Sequence, residues 1–318
     1  MRPYTAMLLM IGLWMPVDVP ANELPRCLFI SSYHVGYPWS DGIEAAVYSQ
    51  LERHCQLRSA YLDSKRQPQL SEIQAQALRV KSEIEHWQPH ILIAADDNAS
   101  KFLIQPFYRD SKIPVVFCGV NWSVEEYGYP YRNATGMVEV MPINTLLNLI
   151  SLTVPNARTG VFISADVITE QKDFDRYKKV FLQKGIELVP ALVSSYSDWE
   201  KAYKAAQSYD FIILNNNAGI EDWEHQQAKS LVLTKGRAPA FTVYEWMMPY
   251  ATIGVTKDPK EQGEWSAKVA TYVLDGGDIT AIPIIPNRRW NMWRNDRVAK
   301  QQKFTLPVSL KMKFRPYE

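Results

Sequence analysis

Short polar clusters recur at the ends of short apolar runs in this chain. Asp96, Asp97 and Asn98 follow Ile91–Ala95, and Asn121 follows a second run, Ile113–Phe117, by a few residues. Further on, Asp166 follows Thr159–Ile163, Asn215 and Asn216 follow Asp210–Leu214, and Glu245 and Trp246 follow Ala240–Tyr244. Near the start, the run Cys27–Ser32 closes on Ser32 and is followed by Tyr33. Carboxylates such as Asp96 and Glu245 can hold an ammonium group at charge-assisted strength. Aromatic faces such as Tyr33, Trp39, Tyr244 and Trp246 can stack on a flat or cationic solute. The candidate contact set is therefore Ser32, Tyr33, Asp96, Asp97, Asn98 and Asn121 from the first half of the chain. The second half adds Asp166, Asn215, Asn216, Tyr244, Glu245 and Trp246. The chemistry points to a small amine-bearing solute, an amino acid among them. Asp, Asn and Gly also end strands for backbone reasons alone, so the weight rests on the repetition and not on any single residue.

The elements that would position these tips read as alternating strands and helices. Ile91–Ala95 and Ile113–Phe117 are short, β-branched and not alternating, as strands covered on both faces of a parallel sheet are. A helix-length stretch, Ala99–Asp110, lies between them, making a β-α-β unit. Cys27–Ser32, Leu57–Leu62 and Gly136–Met141 add strands, with helices over Ile43–His54 and from Ser71 to about Trp87. After Pro142 a similar series begins, with strands at Thr159–Ile163, Ile186–Val193, Asp210–Leu214, Ala240–Tyr244 and Ala251–Val255. Ser71 with Gln74, and Ser197 with Glu200, have the spacing of capping boxes. The pattern predicts two doubly wound α/β units, in which ligands bind beyond the carboxyl ends of the strands.

Composition narrows the function. The chain has 318 residues and a formal net charge of +1, enough for two cores and without the charge bias of a nucleic-acid partner. An Arg2-led apolar run from Ala6 to Met15, then Val19-Pro20-Ala21, has the form of a secretory signal cleaved near Ala21. That expectation places the mature protein in the periplasm. Of three cysteines, Cys27 and Cys55 precede strands that would be parallel neighbours. A disulfide and two free thiols are both open there, while Cys118 ends an apolar strand. The sequence has no Gly-x-Ser-x-Gly, Gly-x-x-x-x-Gly-Lys-[Ser/Thr], Gly-x-Gly-x-x-Gly or His-Glu-x-x-His motif, and its Cys and His spacing matches no metal pattern. Ser32, His34 and Asp96 could form a nucleophile set only by converging in space. The reading is of a binding protein without enzymatic activity, cofactor or metal.

Four stretches, SSYHVGYPWSDGI (Ser31–Ile43), ADDNASKFL (Ala95–Leu103), PVVFCGVN (Pro114–Asn121) and the closing Asn295-x-x-x-Ala299 with Thr305-Leu306-Pro307, resemble the ABC-transporter substrate-binding-protein-like family. Lys303-Phe304 stands where that family usually has a glycine. The resemblance implies the type I periplasmic-binding-protein fold, with two lobes, three hinge crossings and a ligand between the lobes. The crossings fall near Met141, Lys257 and Pro283. That gives an N-terminal lobe of 22–140 plus 257–282 and a C-terminal lobe of 141–256 plus 283–318. It also implies a small-molecule ligand and delivery to an ABC importer permease, and a monomer is the default expectation. In the alternative reading the protein is a periplasmic sensor that signals to a membrane-bound histidine kinase or cyclic-dinucleotide enzyme.

Overall fold

A computed structural model describes residues 23–220 and 222–318. The expected signal segment lies outside the described residues. No helix among the described residues is long and apolar enough to cross a membrane.

The first lobe runs β1 (Arg26–Ser31), α1 (Pro38–Leu51), β2 (Gln56–Tyr61), α2 (Leu70–Trp87), β3 (Ile91–Ala95), α3 (Asp96–Ala99), a π-helical turn (Ser100–Ile104), α4 (Gln105–Phe107), β4 (Val115–Asn121) and β5 (Ala134–Glu139). The second holds α5 (Ile143–Thr153), β6 (Thr159–Ala165), α6 (Ile168–Leu182), β7 (Glu187–Val193), α7 (Tyr196–Ala205), β8 (Phe211–Leu214), α8 (His225–Lys235), β9 (Ala240–Thr242) and β10 (Ile253–Lys257). The chain returns to the first lobe through α9 (Pro259–Leu274) and β11 (Ile285–Pro286). It ends in the second with β12 (Trp290–Arg294), α10 (Asp296–Gln301), α11 (Val308–Lys311) and β13 (Arg315–Pro316).

The sheet orders are β11-β5-β4-β3-β1-β2 and β13-β12-β10-β9-β8-β6-β7. The strands pair in parallel except β12, which runs antiparallel to β10. A mixed edge on an otherwise parallel sheet is common in such folds. The apolar runs explain the centre of the first sheet. Leu28, Ile30, Leu92 and Ala94 face one core layer, while Phe29, Ile91, Ile93 and Ala95 face the other. On the second face, Gly263 of α9 sits so close to α1 that a Cβ there would lie 2.3 Å from the Ile43 carbonyl oxygen. At the end of the sheet away from the strand tips, Cys27 and Cys55 are joined by a disulfide, with Sγ atoms 2.00 Å apart.

Three expectations are corrected. Ile285 and Pro286 pair with Met137 and Val138 of β5, so the third passage between sheets lies beyond Pro286 and not at Pro283. Lys257 is the last residue of β10 in the second sheet, so the first lobe resumes at Pro259. The capping boxes also differ. The second helix starts at Leu70 with no side-chain cap. Its apolar face of Ile73, Ala77, Val80 and Ile84 sets its phase. The other helix is capped two residues earlier than expected, by Ser195, whose hydroxyl accepts from Asp198 N at 3.2 Å.

Candidate functional site

The tips of both sheets open on one hollow of about 550 Å³ between the lobes. On the first-lobe side, Asp96 is 1% exposed. Its carboxylate accepts from Trp39 Nε1 at 3.1 Å and Ser40 Oγ at 3.2 Å. The backbone opposite must be glycine, because a Cβ on Gly119 (φ +68°) would lie 2.8 Å from Asp96 Oδ1. Burial, then the neighbouring Asp97, push Asp96 up to about 7, with Ser40, Trp39 and Lys65 acting the other way. Asp97 accepts from Asn121 Nδ2 at 2.5 Å and Tyr127 Oη at 2.9 Å. Burial raises its pKa too, while Asn121 and Tyr127 oppose the rise. Tyr33 and Tyr37 meet edge to face at 4.8 Å. The Lys65 ammonium stands over both rings, 5.0 and 5.2 Å from their centres.

The second-lobe wall is built on the first turns of α6. Glu170 accepts from Ser164 Oγ at 2.6 Å, Asn215 Nδ2 at 2.6 Å and Asn216 Nδ2 at 2.9 Å. One turn on, Asp173 accepts from Trp122 Nε1 at 3.1 Å and Arg176 Nη1 at 3.2 Å. Burial, then Glu170, raise Asp173 to about 7 against the pull of Arg176 and Trp122. The Arg176 guanidinium also lies 4.4 Å over the Trp122 ring. Trp122 follows β4, so this contact ties the lobes together. At the hinge, Lys257 donates to Glu139, with both side chains under a tenth exposed. The Lys257 ammonium lies 4.8 Å from the Trp39 ring and 5.0 Å from the Tyr244 ring.

Seven carboxylates and four basic side chains line this hollow. Arg176 and Lys257 are paired with Asp173 and Glu139, which leaves five carboxylates against Lys65 and Lys172. The walls thus combine an excess of acid with aromatic faces from both lobes, which suits a cationic group carried on a flat or apolar body. Ser32, His34 and Asp96 form no nucleophile set. Ser32 Oγ donates to the Ala95 carbonyl, His34 Nδ1 lies by the Val35 carbonyl, and Asp96 is held by Trp39 and Ser40.

The sequence model of the family described as ABC transporter substrate binding protein matches residues 64–314, most of the chain. The chain belongs to that family. Its fold is that of type I periplasmic binding proteins. A conserved domain protein from Vibrio cholerae O1 biovar El Tor is 15% identical, with TM-score 0.67, covering 93% of this chain and 100% of that one. The ABC domain from Streptococcus pneumoniae in complex with L-Trp is 14% identical, with TM-score 0.64 and coverage of 92% and 99%. A substrate-binding protein with adhesive properties from Clostridium difficile, in a ligand-free, open structure, is 12% identical, with TM-score 0.73 and coverage of 93% and 99%. A search of curated protein sequences found no match.

In this family member the hollow is lined by Tyr33, Asp96, Asp97, Asn98 and Asn121 from one lobe, and by Asn216, Tyr244 and Trp246 from the other. Four expected residues are not on its walls. Ser32 is buried, and its hydroxyl accepts from Ala99 N at 2.8 Å to secure the helix start. Asn215 is fully buried behind Glu170. Asp166 is exposed and accepts from Gln171 Nε2. Glu245 faces a second hollow. Sequence reasoning passed over Tyr37, Lys65, Trp122, Tyr127, Glu170, Asp173 and Arg176 as site residues, and took Lys257 only as a hinge position. Lys65 directly follows the tip of β2, a signal as good as the ones used. Glu170, Asp173 and Arg176 are spaced three apart on a charged helix and read as a solvated face.

Proposed function

We propose that this substrate-binding protein works outside the cytoplasm. There it captures a small amine-bearing solute in the inter-lobe hollow, without converting it, and hands it to an ABC importer permease. The observation that carries this is the wall chemistry: acids in excess, with Tyr33, Tyr37, Trp122, Tyr127, Tyr244 and Trp246 around them. An aromatic ring beside a carboxylate holds an ammonium better than either alone. The Streptococcus pneumoniae domain of similar fold is described with L-Trp, an amine with a flat ring, which agrees with this reading. The Cys27–Cys55 disulfide supports an oxidising compartment.

The test is thermal stability of the mature chain against amino acids, amines, sugars, nucleosides and dicarboxylates. Binding to the native state alone raises the melting temperature by mass action. Amino acids or amines are expected to raise it, with the rise lost in Asp97→Ala and in Tyr33→Ala. A rise with sugars or dicarboxylates alone would overturn the ligand class. The same capture step would serve a membrane-bound sensor, and uptake in a strain lacking the permease separates the two destinations.

A further inference from the structure

Beside the inter-lobe hollow lies a second one of about 420 Å³. Trp39, Tyr244, Trp246 and Lys257 belong to the walls of both. Because Trp39 and Tyr244 flank the Lys257 ammonium, these three side chains form a partition joining the lobes. The far side of that partition is different in kind. Its own walls are Pro38 and Pro259 from the first lobe, and Val243, Glu245, Thr256 and Tyr317 from the second. It is mostly apolar, and Tyr244 and Trp246 present rings 4.4 Å apart.

The charges leave one side chain unanswered. Lys257 is matched by Glu139. Asp258 caps α9 by accepting from Lys260 N at 3.1 Å, so the positive end of that helix is already met. Thr256 accepts from Trp293 Nε1 at 3.0 Å. The Glu245 carboxylate, exposed at the rim, has no hydrogen-bond or ion-pair partner among the described residues, and Asp258 and Arg315 act on it with opposite sign only at longer range. We infer that this second hollow is a separate binding site for a small organic cation with apolar substituents. Glu245 would face the charge, and Tyr244, Trp246, Tyr317 and the indole of Trp39 would enclose the body. The inference does not depend on what fills the main hollow. Because the walls come from both lobes, an occupant there would bear on how the lobes sit.

Calorimetric titration of the mature chain with choline tests this, with 3,3-dimethylbutan-1-ol as its uncharged isostere. Choline is expected to bind at least about tenfold more tightly than the isostere, the discrimination an aromatic enclosure gives a cation. Glu245→Gln and Tyr317→Ala should each weaken choline by about tenfold, while Asn216→Ala, on the main hollow only, should not. Three results would overturn the site: no saturable choline binding, equal binding of the isostere, or loss of choline binding in Asn216→Ala with none in Glu245→Gln. The last would place the cation in the main hollow. Choline binding that fails while amino acids still stabilise the protein would sink this inference and leave the capture reading intact.

Discussion

Glu139 and Lys257 each close a strand that leads from one lobe towards the other, and their side chains meet in a buried ion pair beneath the hollow. The pair therefore ties two of the three inter-lobe passages to each other. Lys257→Met would strand a carboxylate in a dry site, and stability should fall by about 3–5 kcal/mol. Adding Glu139→Leu should recover most of the loss, since two apolar groups need no partner. Urea denaturation of both variants checks this. A double variant as unstable as the single one would mean that shape, and not charge, decides the site.

Asp96 and Asp173 contribute to the pH dependence of stability on the acid side. Both are raised to about 7 in the folded protein by burial. Between the unfolded carboxylate value and about 7 the folded state holds protons that the unfolded state has lost. Their contribution is thus fully present below the unfolded value and lost as pH rises through about 7. Melting temperature should rise as pH is lowered from 7.5 to 5. Asp96→Asn and Asp173→Asn should each flatten that rise while keeping an acceptor for Trp39 and Trp122. An unchanged slope in both variants would show that other groups carry the profile.

Trp122→Phe should loosen the lobes. It removes the indole N–H that donates to Asp173 but keeps a ring beneath Arg176. Such a hydrogen bond contributes about 0.5–1.5 kcal/mol, rising to about 1.5–3 kcal/mol as Asp173 ionises. The unliganded variant should show a larger radius of gyration by small-angle scattering, and Trp122→Leu, which also strips the stacking, a larger one still. Identical scattering from all three proteins would show that the contact does not hold the lobes.

Gly263→Ala should destabilise the first lobe by about 1–3 kcal/mol, the usual cost of overpacking. The added Cβ would fall 2.3 Å from the Ile43 carbonyl oxygen and 2.7 Å from Ala46 Cβ, so α1 and α9 would have to part. Since Trp39 is on α1 and Lys257 lies two residues before α9, the shift should also weaken solute binding. Denaturation and thermal-shift measurements on one preparation report both effects.

The central strands were legible because burial on both faces leaves no polar alternation: Ile91–Ala95 is buried at every position. Chain periodicity also predicted two lobes, since the same βα alternation restarts after Pro142. The helix starts were harder. Ser195-x-x-Asp198 and Ser197-x-x-Glu200 are overlapping boxes of the same form, and only the need to bury Tyr196, Trp199 and Tyr203 selects the first. Side-chain direction at the strand tips was not legible. Ser32 and Asn215 turn back into their own lobes, Ser32 to accept from a helix-start amide and Asn215 to donate to the buried Glu170 carboxylate alongside Ser164 and Asn216. Glu245 follows the same kind of tip as Asn216, yet it opens on the other side of the Trp39–Lys257–Tyr244 partition.

The tryptophans at these walls give the protein a built-in optical reporter. Trp39 is shared between both hollows, Trp122 spans the lobes, and Trp246 leans on Tyr244 at the boundary. Indole emission depends on nearby charge and on water access, so an arriving solute or a shifting lobe should change its colour and intensity without any added dye. Single Trp→Phe replacements would then assign each spectral component to a wall, and one titration could follow both hollows as they fill.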